Sequence, residues 1–291
     1  YNLALGNADY LHGQHPTGWY YPQLSGTDYY WYPRLFQDPE FVLAYWDRFW
    51  ELRRGVLSDA RLLERIDAAD AELDAPSSGG VSAATRNFNR WPTLGTYVWP
   101  NAAGFASRTT HQAEVDWMKN WLTSRMAWAE AQSLGTGGGA RPPTWNQYGG
   151  GVTATFPLMM EDANGWQDPE IHYTTDGSDP RGPTAQIYSG PVSITQSVEI
   201  RARVKSGSQW SPLSQGIFVV DTVPASAANL VISEIHYHPA DPSAAELAAG
   251  FPTDREFEFV ELMNASQTAT VDLTGVSFIN GISFSFDASV P

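Results

Sequence analysis

Along the first half of the chain, apolar residues recur at helical spacing. Phe41, Val42, Tyr45, Phe49 and Leu52 fall on one face of a helix. Asp38-Pro39-Glu40 supplies a capping side chain, a proline at the first position and an early acid, and Gly55 marks the stop. A second helix opens at Leu57-Ser58, where Ser58 caps and Leu57 packs on Leu62. It buries Leu62, Leu63, Ile66 and Leu73 until the Pro76–Gly80 break. A third runs from about Thr110 to Leu134, with Val115, Met118, Leu122 and Ala129 inward and Trp117, Trp121 and Trp128 widening the stripe. Residues 1–33 show no sustained period. They read as one short strand, Leu3 to Leu5, followed by aromatic-rich ordered loops.

Beyond the Gly/Pro-rich stretch 135–143 the period changes from 3.6 to 2. Val152, Ala154 and Phe156 alternate, as do Ile171, Tyr173 and Thr175. Asp176-Gly177 and Asp179-Pro180 then turn the chain. Val192 and Ile194, a Thr195-Gln196-Ser197 link, and Val198, Ile200, Ala202 and Val204 predict a hairpin with one solvated face. A second linker, 221–228, precedes a buried-type strand at Leu230–Ile235 and an alternating one at Glu256–Leu262. An Ala/Pro-rich insertion, Asp241–Thr253, separates them and is expected to hold one helical turn.

The expected division is therefore 1–134, linker 135–143, 144–220, linker 221–228 and 229–291. The fold class is multidomain α+β: a mainly helical part, then two small β modules. A length of 291 residues, 42% hydrophobic and 17% charged residues fit an ordered, turn-rich chain. No apolar run is long enough to span a bilayer. The net charge of −15 is unevenly placed: residues 221–291 hold ten acids against the single base Arg255. Such a field repels phosphate backbones and anionic lipid, so nucleic acid is not an expected partner. The absence of cysteine excludes a disulfide framework, thiol catalysis and cysteine-ligated zinc.

Three resemblances add names. NLALGN, RLFQDPEFVLAYWDRFWELRRGVLS, NRW and WLTSRMAWAEAQ are similar to the C-terminal part of the CotH kinase (spore-coat protein H) family. That is an atypical kinase-like fold whose members transfer phosphate from ATP to protein. YTTDGSDP, YSGP and RARV…QWSPLS, over roughly 142–220, resemble the chitobiase/β-hexosaminidase C-terminal repeat, an immunoglobulin-like sandwich. VISEIHYHP, EFVELMNAS and VDLTGVSF, over about 229–291, resemble the lamin-tail domain, a second such sandwich, here incomplete.

The resemblances imply the C-terminal fragment of an exported modular bacterial protein, extracellular or on the cell surface. Its parent would use ATP and Mg²⁺ to phosphorylate a protein hydroxyl. Tyr1–Gly6 matches the end of the family's W-D-x-D-x-x-x-G metal-binding segment, with Asn2 at the second acidic position. Asn2 thus becomes the candidate cofactor contact, offering a carbonyl oxygen without charge. The nucleotide lobe and catalytic base would lie upstream, so the fragment is expected neither to catalyse nor to bind nucleotide tightly. No catalytic residue or metal ligand is assigned within it.

In the β modules, Trp166, Tyr173 and Trp210 are the rings most able to stack on a sugar, with cell-wall or extracellular polysaccharide as the ligand class. Asp176 and Asp179 read as turn formers. Glu234, His236 and His238 share a strand face, but three such residues span about 13 Å, too far to meet at one ion. No phosphate-cradling loop, G-x-S-x-G elbow or H-E-x-x-H is present. The alternative function is a non-catalytic adhesion or carbohydrate-binding scaffold.

Overall fold

A computed structural model describes residues 5–10, 12–19, 29, 31–77, 79–133, 139–266 and 269–286. The expected Leu3–Leu5 strand and the linker 135–143 fall partly outside these residues, and the final residues, 287–291, do so wholly. The chain forms two compact units. The first comprises Tyr1–Thr144, Glu161–His172 and Ala202–Ser214; the second comprises Trp145–Met160, Tyr173–Arg201 and Gln215–Pro291.

The helices of the first unit are α1 (Trp31–Leu35), α2 (Pro39–Arg54), α3 (Asp59–Asp74), α4 (Ala83–Arg90) and α5 (His111–Ala131). Capping chemistry sets their starts. The side chains of Asp38, Ser58, Ser82 and Thr110 accept from the backbone N–H of Glu40, Arg61, Thr85 and Ala113. The α4 helix was not anticipated; only Ala84 of its short face is buried, so its pattern carries little signal.

The α2 helix keeps its predicted apolar face together: Phe41, Tyr45, Phe49 and Leu52 line one apolar groove with Ala44, Arg48 and Leu57. Its most buried residues, Leu43 and Trp46, lie beside that face. Aromatic packing explains why burial extends there. Trp19 stands edge-on to Trp46, Tyr45 and Trp128 at 6.0, 6.4 and 5.1 Å between ring centres, drawing the Trp46 side of α2 inward.

The strands are β1 (Thr144–Trp145), β2 (Gly150–Val152), β3 (Phe156–Leu158), β4 (Met160–Glu161), β5 (Glu170–Thr174), β6 (Gln186–Ile187), β7 (Val192–Ile194), β8 (Val198–Ser206), β9 (Gln209–Trp210) and β10 (Ser214–Val220). The main sheet has the order β2-β10-β8-β5-β6, with β9 also on β8. The predicted β7–β8 hairpin does not form. β7 pairs antiparallel with β3, Ile194 opposite Phe156, while β8 belongs to the larger sheet. The Thr195–Ser197 link therefore carries the chain from one sheet to another. Alternation identified both strands but held no information about partners. Ile200, Ala202 and Val204 are buried as expected, and so are Leu158, Ile194 and Phe218.

In the second unit's final stretch, β11 (Val223–Pro224) pairs with β14 (Val271–Asp272), and β12 (Leu230–His236) pairs antiparallel with β13 (Phe259–Asn264). The insertion holds α6 (Ala244–Ala248), closed by a Ser243–Glu246 capping box. β15 (Ser277–Phe278) and β16 (Phe284–Ser285) form a last antiparallel pair. These observations support a helical part followed by a β-rich region of several sheets. Among the described residues no helix is long and apolar enough to cross a membrane.

Candidate functional site

Asn2 lies outside the described residues. The segment that follows it is fixed in detail. Gly6 adopts φ +79°, and an added Cβ would come within 2.5 Å of the Trp121 indole, so glycine is required on both counts. Trp121 Nε1 donates to the Gln14 carbonyl at 3.1 Å, and Arg125 Nη1 donates to the carbonyls of Pro16 and Gly18 at 3.1 and 2.7 Å. The Arg125 guanidinium also lies 4.6 Å from the Trp128 ring centre. Its burial lowers the Arg125 pKa, while burial raises that of Tyr45, an effect the charge of Arg125 opposes.

On the other side, Asn7 bridges to the 97–102 loop. It donates to Asn101 Oδ1 at 3.2 Å and accepts from Ala102 N–H at 3.0 Å. Tyr97 Oη donates to Asp9 Oδ2 at 2.6 Å, and that bond, with some desolvation and the Asp9 charge, raises the phenol pKa. Arg108, nearly buried, holds Glu114 and the carbonyls of Ala102 and Ala103. Residues 6–18 are thus laced to α5 and to the loop before it.

Residues 1–129 match the family model of CotH kinase protein. Residues 162–215 match the model described as Fn3 associated. A search of curated proteins found no significant match. Within the CotH-matching region, Asp47 on α2 is a polar anchor. It accepts from both terminal nitrogens of Arg203, at 2.8 and 2.6 Å, and from Leu213 N–H at 2.8 Å. Arg203 also donates to the Ser211 carbonyl and is 3% exposed. It alternates with Ala202 and Val204, so the sequence placed it on the solvated face of β8. A bidentate carboxylate makes its burial tolerable.

Of the sugar-stacking candidates, Trp166 and Trp210 belong to the first unit and Tyr173 to the second. All three are partly buried. Trp210 meets His172 edge-on at 5.1 Å and lies beneath Lys205 at 5.3 Å. Tyr173 Oη donates to Gln186 at 3.1 Å. Asp176 Oδ1 accepts from Ser178 N–H and Oγ–H, and those bonds lower its pKa; Asp179 accepts from Arg181. Both behave as turn residues.

Two mixed carboxylate–imidazole groups differ sharply. In β12, His236 Nδ1 is 3.6 Å from Glu234, whereas His238 pairs elsewhere, with Asp254 at 3.1 Å. Asp70 and Asp74 of α3 and His111 of α5, by contrast, bring one potential donor each within 4.8 Å of one another. Sequence reading missed this group. Its only linear trace is the Asp pair one helical turn apart.

Proposed function

We propose that this chain serves an ATP- and Mg²⁺-dependent protein kinase of the CotH type, exported by a bacterium and working outside the cell or at its surface. The match of residues 1–129 carries the reading. The bonds from α5 to Gln14, Pro16 and Gly18, with Gly6 packed on Trp121, support it, since they fix the stretch that follows a metal-binding segment at Tyr1–Gly6. In that parent, Asn2 would offer a carbonyl oxygen to Mg²⁺, which would supply charge neutralisation for transfer to a protein hydroxyl. The described residues position; no phosphotransfer step is assigned to them. The chitobiase-type and lamin-tail-type modules, at 144–220 and 229–291, act as spacers or attachment domains.

The test is phosphate transfer from [γ-³²P]ATP by the protein that carries this chain, with Mg²⁺ and candidate acceptor proteins. Labelled serine or threonine that disappears with EDTA, and a loss of tenfold or more in Asn2→Ala, is expected. Absence of both transfer and ATP turnover overturns the reading. An adhesion or carbohydrate-binding scaffold is the second reading, favoured by the partly exposed rings of Trp166 and Trp210 beside the Fn3 associated match. Retention on chitin, cellulose or peptidoglycan that falls in Trp210→Ala is its expected signature.

A further inference from the structure

His111 is the first residue of α5, and its ring touches Phe88 of α4 at 5.8 Å between centres. Its Nδ1 lies 3.5 Å from Asp70 Oδ1 and 3.5 Å from Asp74 Oδ1. Both separations exceed the roughly 2.7–3.2 Å of an N–H···O hydrogen bond. They fit something else: two donors on one tetrahedral ion, bonded at about 2.0–2.2 Å, stand about 3.4 Å apart. Asp70 Oδ1 and His111 Nδ1 are also buried and, although at ion-pair distance from each other, make no hydrogen bond, which is costly for buried polar atoms.

Charge points the same way. The two carboxylates lie in the last turns of α3, where the helix dipole is negative, and like charges one turn apart repel. The last turn of α3 contains no basic residue. The ammonium of Lys119 is bonded to Asp67, one turn earlier. A divalent cation at the three converging donors removes both the repulsion and the unpaired atoms.

We infer that Asp70, Asp74 and His111 form a binding site for a first-row divalent transition-metal ion, zinc fitting best. Imidazole with carboxylates suits such ions, whereas Ca²⁺ and Mg²⁺ take all-oxygen sets. The Asp74 side chain is 53% exposed, which gives the ion an entry path and leaves a fourth position for water. Bound there, the ion ties the end of α3 to the start of α5. This site is independent of the kinase reading and stands or falls separately.

The full 291-residue chain, freed of metal with chelator, is titrated with Zn²⁺ by calorimetry and with Co²⁺ by visible absorption. One saturable equivalent, the intense d–d bands of four-coordinate Co²⁺, and a rise in Tm of roughly 5 °C are expected. Asp70→Asn and His111→Gln each weaken binding at least tenfold, while His238→Gln leaves it unchanged. Far-UV circular dichroism and the metal-free melting curve establish that each variant is folded, and Asp74→Asn offers a more exposed substitution with the same expected loss. Absence of saturable binding, or binding that follows His238 and ignores His111, overturns the proposal.

Discussion

The β region between 144 and 220 and the one between 229 and 286 start from similar sequence patterns and end differently. In the first, alternation leads to closure: Leu158, Ile194, Ile200, Val204 and Phe218 are each at most 2% exposed. In the second, among the described residues, no apolar side chain other than Pro239 is buried. Ile235, Tyr237, Phe259 and Met263 of the β12–β13 pair and its edge stay open, at 47–78% exposure. A period of two ensures that a strand has an apolar face; it does not supply the layer that covers it. Two strands alone are marginal, and further sheets make the core.

The widest test of this contrast is a pair of truncations. Phe218→Ala is expected to cost about 3–5 kcal/mol, whereas Phe259→Ala costs less than about 1 kcal/mol, since little is lost where water already reaches the ring. Urea unfolding of the two variants measures both. Equal costs would mean that the second region has a core after all.

Glycine sharpens the comparison at smaller scale. A Cβ on Gly216 would meet Gly149 N at 2.9 Å and the Tyr148 carbonyl carbon at 3.0 Å, backbone that cannot swing aside. Gly216→Ala is expected to cost about 1–3 kcal/mol through overpacking. Gly275, at φ +79°, has open space around it. There alanine pays only the left-handed backbone penalty, about 1 kcal/mol. Thermal melts that reverse this order would break the distinction between the crowded and open regions.

The smallest expected difference concerns acid. Asp176 in the first region and Asp272 in the second both have pKa values lowered, chiefly by hydrogen bonds from the side chains of Ser178 and Thr274. A carboxyl with a depressed folded pKa contributes stability above its unfolded value, about 3.9, and loses it as pH falls through the folded value. Both should therefore titrate below about 3.9 in carboxyl NMR. Ser178→Ala and Thr274→Ala should each return their own aspartate toward that value and leave the other unmoved. Turn chemistry is thus alike in the two regions even where packing is not.

Local signals were legible in the sequence. Asp38 and Ser58 announced two helices because a cap acts within a few residues. Partners and burial were not legible: α2 buried Leu43 and Trp46 beside its apolar face, β7 chose β3 over β8, and Arg203 went inward to meet a carboxylate far away in the chain. The candidate metal ligands follow the same rule. Glu234, His236 and His238 drew notice because they alternate in sequence, yet His236 stays by Glu234 while His238, past the end of β12, pairs with Asp254. Asp70, Asp74 and His111 converge only once α3 and α5 have packed.

The Asp47–Arg203 clasp has a practical bearing on where this protein tolerates being cut or recombined. A version ending near Ser133 would present a lone carboxylate on α2, and a transplanted 144–220 segment would bring along an arginine whose counterion stayed behind. Shuffling this piece among parents requires the acid and the base to travel together, so the heritable unit is longer than the run of strands suggests.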